Sequence, residues 1–135
     1  MSIQLQRISG APQAQTAHIR TQEFVADGSE QEGGADSGPS THDLYDAALG
    51  AYKALTVLWF ARKKGLPVQD LQTVVERDAS TERAVTYRPP TRLQVSGELT
   101  DAHIGELPAV AYKCPVHKLT TSVTTEFEPL VERAV

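Results

Sequence analysis

Cysteine occurs once in this chain, at Cys114, so no disulfide can close within it. An excess of cationic residues is missing as well: 13 Lys and Arg stand against 17 Asp and Glu, a formal charge of −4. Nucleic acid and anionic membranes are held by clustered Lys and Arg, so neither is expected as a partner. The opening MSIQLQRISG lacks the apolar core of a signal peptide, which makes the cytoplasm the expected location. The longest apolar stretch is interrupted by Lys53, short of the roughly 18 residues that a membrane-spanning helix requires. There is no internal repeat. The remainder is ordinary globular composition, 40% apolar and 22% charged, over 135 residues, a length that suits one domain spanning 1–135.

The stretch GPSTHDLYDAALGAYKALTVLWFARKKG, Gly38 to Gly65, organises the chain. Ser40 is a good N-cap, since its hydroxyl accepts from a free backbone N–H of the first turn. Asp43, three residues on, can reach back as in a capping box. Asp43 and Asp46 suit the positive end of the helix dipole, and Arg62, Lys63 and Lys64 suit the negative end. Gly65 supplies a left-handed stop and Pro67 blocks continuation. These signals predict a helix near 41–64, about 24 residues and roughly 36 Å long. Its side chains are apolar on almost every side, with a narrow polar stripe through Asp46, Gly50 and Lys53. All-round hydrophobicity marks a buried helix. A chain this small needs a second subunit to bury it, and Ala47, Ala48, Gly50 and Ala51 would let another backbone approach closely. An obligate homodimer packed through this helix is therefore expected.

Ahead of it, Ile3 and Leu5, then Ala17, Ile19 and Thr21, alternate with polar residues and predict a two-stranded ribbon that Phe24 and Val25 extend. Residues 27–38 hold four glycines and four acids and read as a flexible, solvated loop. After the helix, alternation predicts a strand near 69–78 and another from 84 to 97, interrupted or pushed to a sheet edge by Pro89 and Pro90. Thr100 should cap a shorter helix with Ile104, Leu107 and Ala111 on one face, kinked or split by Gly105 and Pro108. Thr120 to Phe127, rich in Thr and Val, reads as a last strand. Strands, long helix, strands, helix and strand make an α+β fold.

Chemistry concentrates in Tyr112-Lys113-Cys114-Pro115-Val116-His117-Lys118. Pro115 suits a first helical position, which makes Cys114 an N-cap thiol beside Lys113, His117 and Lys118. Each of these neighbours favours the reactive thiolate. A small buried core cysteine is the alternative. Cys114 and His117 are also half of a metal pair, but no second paired spacing accompanies them, so no metal or other cofactor is expected. His42 is an acid–base candidate or simply a solvated first-turn residue.

Gly33-Gly34, then GPSTHDL-YDAALGAY, then a long helix ending in ARKKG, then CPVHK, resemble the OsmC/Ohr family over residues 33–127, and its general OsmC-like branch most. The resemblance implies an antiparallel sheet wrapped around a long central helix, in an intertwined homodimer whose two long helices cross. It also implies a role in the bacterial response to organic hydroperoxides, which family members reduce with two cysteines. Cys114 falls on the resolving position. The peroxidatic position falls on Tyr52, in GAY where the family pattern is GAC. The acidic residue that orients the attacking group falls on His42, with Asp43 beside it, and the family's arginine has no assigned counterpart. A phenol with a pKa near 10 cannot replace a thiolate as the atom attacking a peroxide.

Three functions follow as expectations. The first is an OsmC-like homodimer without two-cysteine peroxidase activity that binds a small apolar or peroxide ligand at its interface, with His42, Asp43, Tyr52 and His117 as binding residues. The second is a one-cysteine enzyme in which Cys114 cycles through a sulfenic acid. The third is a structural or interaction protein without a functional pocket. On one helix, His42 and Tyr52 are separated by about 15 Å of rise and about 80° of rotation. A shared pocket therefore requires the His42 of an antiparallel partner helix, with Cys114 approaching from its own turn.

Overall fold

The computed structural model describes residues 1–77, 90–113 and 115–134. Contacts divide the chain into two compact units, one of residues 1–48 and 75–90, the other of residues 49–74 and 91–135. No described helix is long and apolar enough to cross a membrane.

The first unit opens with three strands, β1 (Ile3–Arg7), β2 (Gln15–Ile19) and β3 (Gln22–Ala26), in an antiparallel meander ordered β1-β2-β3. Ile3 pairs with Ile19, and Leu5 pairs with Ala17, which in turn faces Phe24. Opposite residues share a face, so Ile3, Leu5, Ala17, Ile19 and Phe24 form one apolar surface. The ribbon expected to have two strands thus has three. Its second hairpin turns at Arg20-Thr21, with Arg20 at φ 56°. The sequence carries no Asn or Gly there to announce a turn, so the break between β2 and β3 leaves no signal.

The acidic segment after β3 is organised by Asp27. This buried carboxylate accepts the N–H groups of Gly28, Ala35 and Ser37 at 2.7, 3.1 and 3.2 Å, and the Ser37 hydroxyl at 2.7 Å. The Ser37 hydroxyl and these N–H groups hold its pKa below the usual carboxylate value, against the opposing effect of burial. A 3-10 turn, Glu30–Glu32, sits inside the loop, capped by Ser29. Gly34 passes so close that a Cβ there would strike the Gly28 carbonyl and lie 2.7 Å from Asp27 Oδ1.

Helix α1 spans Thr41–Lys64, beginning in the first unit and ending in the second. Both expected caps are present. Asp43 N–H donates to Ser40 Oγ at 3.1 Å, and Asp43 Oδ2 accepts from Ser40 N–H at 2.9 Å, closing the capping box. At the other end Gly65 adopts φ 69°, with Leu66 N–H donating to Ala61 O and Gly65 N–H to Arg62 O, a Schellman stop. One chain by itself buries only one side of α1. Within one chain its buried stripe is Asp46, Gly50, Val57 and Ala61, and Lys53 is half-buried. The polar stripe therefore faces inward, whereas Tyr45, Tyr52, Leu55, Leu58 and Trp59 are exposed.

In the second unit, β4 (Val68–Val75) pairs with β5 (Thr91–Gly97). Strand β5 begins only after Pro90; the residues expected to start it, 84–87, lie outside the described residues. Helix α2 (Asp101–Tyr112) is capped by Thr100 in a capping box completed by the His103 side chain. It runs unbroken through Pro108, correcting the expected split. Its buried residues are Leu107 and Val110, while Ile104 is exposed. Packing of Leu107 and Val110 on Val57, with Phe60, Leu66, Leu71, Leu93 and Val95 around them, outweighs the one hydrogen bond that proline removes. The expected last strand is absent: α3 occupies Pro115–Thr121, and residues 124–134 have no regular structure. Thr120 and Thr121 donate their hydroxyls to the His117 carbonyl, so these strand-forming residues close a helix instead.

Val57 is the most deeply buried large side chain described, and the Thr73 hydroxyl is buried with no hydrogen-bond partner among the described residues. Val57→Ala should lower stability by about 2 kcal/mol through lost transfer energy and a cavity. Thr73→Val should leave stability unchanged or raise it by up to about 1 kcal/mol, because the unsatisfied hydroxyl disappears at constant shape. Urea midpoints at unchanged slope measure both.

Candidate functional site

The first turns of α1 carry the densest group of ionisable side chains described. His42, Asp43 and Asp46 are presented there by the Ser40 cap, and Arg77, just beyond β4, closes over them. Arg77 Nη2 donates to Asp43 Oδ1 at 2.8 Å and Arg77 Nε to Asp46 Oδ2 at 3.0 Å, so one guanidinium spans two carboxylates. Asp46 is buried. His42 Nδ1 lies 3.3 Å from Asp46 Oδ2, an ion pair when the imidazole is protonated. Asp43 has its pKa lowered to about 2, first by the Ser40 backbone N–H, then by the Arg77 hydrogen bond and the Ser40 hydroxyl. This arrangement fixes a carboxylate pair and orients an imidazole.

A second group lies in the other unit, at the turn from α2 to α3. The Tyr112 and His117 rings meet edge to face with centroids 5.5 Å apart, and Lys53 Nζ stands 5.5 Å from the Tyr112 ring centre. Cys114, between these two rings in sequence, lies outside the described residues. No group of three or more His, Cys, Asp or Glu side chains able to hold a metal forms among the described residues.

The structure thus brings together His42 and Asp43, two of the residues singled out from sequence, and sets His117 against the Tyr112 ring. Tyr52 lies on the exposed side of α1, its carbonyl accepting from Thr56 Oγ1 at 2.8 Å. Because α1 is unbroken, about 15 Å of helix separates it from His42. Sequence reasoning missed Arg77. It lies 34 positions from Asp43, and a lone arginine after a strand gives no local signal of its partners.

No family model matches this sequence, and no curated protein matches it. Solved structures do match. A protein from Psychrobacter arcticus 273-4, named for osmotic stress induction and detoxification response, superposes with a TM-score of 0.70 at 19% identity, covering 88% of this chain and 87% of that one. An OsmC-like protein from Mycoplasma pneumoniae gives 0.67 at 15% identity over 90% and 87% of the two chains. A hypothetical protein from Aquifex aeolicus VF5 gives 0.64 at 14% identity over 91% and 88%. The chain therefore has the α+β fold of OsmC-like proteins.

Arg77→Met should lower stability by about 2 kcal/mol, since it strips a partner from a buried carboxylate. Asp43→Asn, at an exposed pair, should cost less than about 1 kcal/mol at neutral pH. The Asp43 pKa is lower folded than unfolded, so its contribution is complete above the usual carboxylate value near 3.8 and is lost as pH falls toward about 2. Denaturant unfolding from pH 5 to 2 should show a shallower acid decline for Asp43→Asn than for the parent chain.

Proposed function

We propose that this chain is a homodimeric OsmC-like protein that retains the fold but not two-cysteine hydroperoxide reduction, and that it binds a small apolar molecule at its subunit interface. Tyr52 carries the proposal. The sequence resemblance implies that it falls where the family has its attacking cysteine, and a phenol cannot supply a thiolate's electron pair to a peroxide oxygen. Cys114 then has no second thiol in the chain with which to close a catalytic disulfide. A role in oxidative-stress or detoxification response accords with the fold likeness and would be met by binding an oxidised or apolar compound. Amphipathic tyrosine suits such a pocket, with an apolar body and a polar tip.

The dimer is supported by the outward side of α1. Five large apolar or aromatic residues there lie 41–63% exposed in one chain. A patch of this kind marks an interface. The composite pocket combines Tyr52 of one chain with His42 of the other.

Sedimentation at micromolar concentration should give a dimer, and a stable folded monomer would overturn that part. With a dithiol reductant, cumene hydroperoxide consumption should be no faster than for the reductant with free cysteine. Turnover abolished by Cys114→Ser would instead establish a one-cysteine enzyme.

A further inference from the structure

Asp27 is a buried carboxylate, 6% exposed, that the proposed interface pocket does not use. Gly28 follows it, and an aspartate before glycine is the kind most open to attack by its own chain, because glycine has no Cβ to shield its amide nitrogen. That nitrogen lies 2.7 Å from Asp27 Oδ1, so the nucleophile and the carboxyl are already neighbours. The surrounding loop opposes their reaction. An oxygen leaves this carboxyl only when it is protonated, whereas the Ser37 hydroxyl and the N–H groups of Gly28, Ala35 and Ser37 all stabilise the ionised form. The backbone on either side is pinned as well. Asp27 N–H donates to Pro39 O at 3.1 Å, and Gly28 O accepts from Asp36 N–H at 3.1 Å.

We propose that Asp27-Gly28 is a latent self-modification site, held shut by the loop that Ser37 closes, and that opening of this loop converts Asp27 to isoaspartate. Once the carboxyl is free and protonated, Gly28 N attacks Asp27 Cγ. The N–Cγ bond forms, a C–O bond breaks, and the oxygen departs as water, carrying its own proton and the one from the Gly28 N–H. Water then adds at the Asp27 backbone carbonyl and breaks its bond to Gly28 N, so the chain now runs through Cγ. Water is lost and regained, no electron moves, and no other reactant is needed. The product has one extra backbone atom, and its carboxylate no longer meets Ala35 and Ser37. Asp27 also holds Pro39, which adjoins the Ser40 cap, so the change loosens the entry to α1. Closure of the loop therefore protects the start of the long helix from an irreversible lesion.

The test follows isoaspartate at position 27 by peptide mapping of the full chain, held at neutral pH for several weeks. In the folded chain it should form at least about tenfold more slowly than in guanidinium chloride, because reaction requires local opening. Equal rates in the two conditions overturn the proposal, and this comparison needs no variant. Ser37→Ala removes a hydroxyl that donates to a charged oxygen, so it should speed isomerisation in the folded chain about tenfold. Ser37→Thr keeps the hydroxyl and should stay near the parent rate. Circular dichroism of each sample confirms that the helices remain. A folded Ser37→Ala chain that isomerises no faster than the parent overturns the proposal. If that variant does not fold, the comparison of folded and denatured parent chain decides alone.

Discussion

Helix α1 turns its polar stripe inward and its bulky residues outward, and most of the structure depends on that inversion. Asp46 and Gly50 are buried, whereas Leu55 and Trp59 face solvent in the single chain. Full burial of a Leu or aromatic side chain is worth about 1.5–3 kcal/mol. Several such residues together rival the whole net stability of a small domain, roughly 5–15 kcal/mol. A helix so arranged would be a poor choice for a permanently solitary chain. It is well suited to one whose outer face is covered by another copy.

An inward carboxylate carries its own requirement. Asp46 would be strongly destabilising if buried without a counter-charge. Arg77 meets it and also engages Asp43, whose other oxygen is held by the Ser40 N–H. The capping box and the guanidinium clamp therefore share a residue, so the start of α1 and the chain just past β4 are fixed by one connected network. Planar, bidentate geometry is what an arginine offers here and a lysine would not. The Asp27 loop, in the same unit, satisfies a buried carboxylate by a different route, with N–H groups and one hydroxyl in place of a cation.

What could be read from sequence was whatever has a local signature. The bounds of α1 follow from Ser40, Asp43 and Gly65, each acting on its own neighbours. The Thr100 cap of α2 is equally local. Three features escaped because their causes are not local. The β2–β3 turn uses Arg20 in a conformation that composition does not advertise. The strand propensity of Thr120 and Thr121 is overridden by their hydroxyls bonding to the His117 carbonyl. Arg77 finds Asp43 and Asp46 only once β4 has been laid down. Of the candidate site, His42 and Asp43 were legible as first-turn residues, but the cation between the two carboxylates was not.

A fold does not carry its chemistry with it. Likeness to solved structures at 14–19% identity is a likeness of backbone fold, and a backbone fold does not depend on a sulfur atom. Peroxide reduction depends on one, because the attacking atom must be a polarisable anion near neutral pH. The determinants of α1 are the cap, the left-handed stop, and the buried Val57 and Ala61, none of which involves the exposed Tyr52. One fold hosts many chemistries, so what this chain does is decided by its own side chains, among them the exposed Tyr45, Tyr52 and Trp59 of α1.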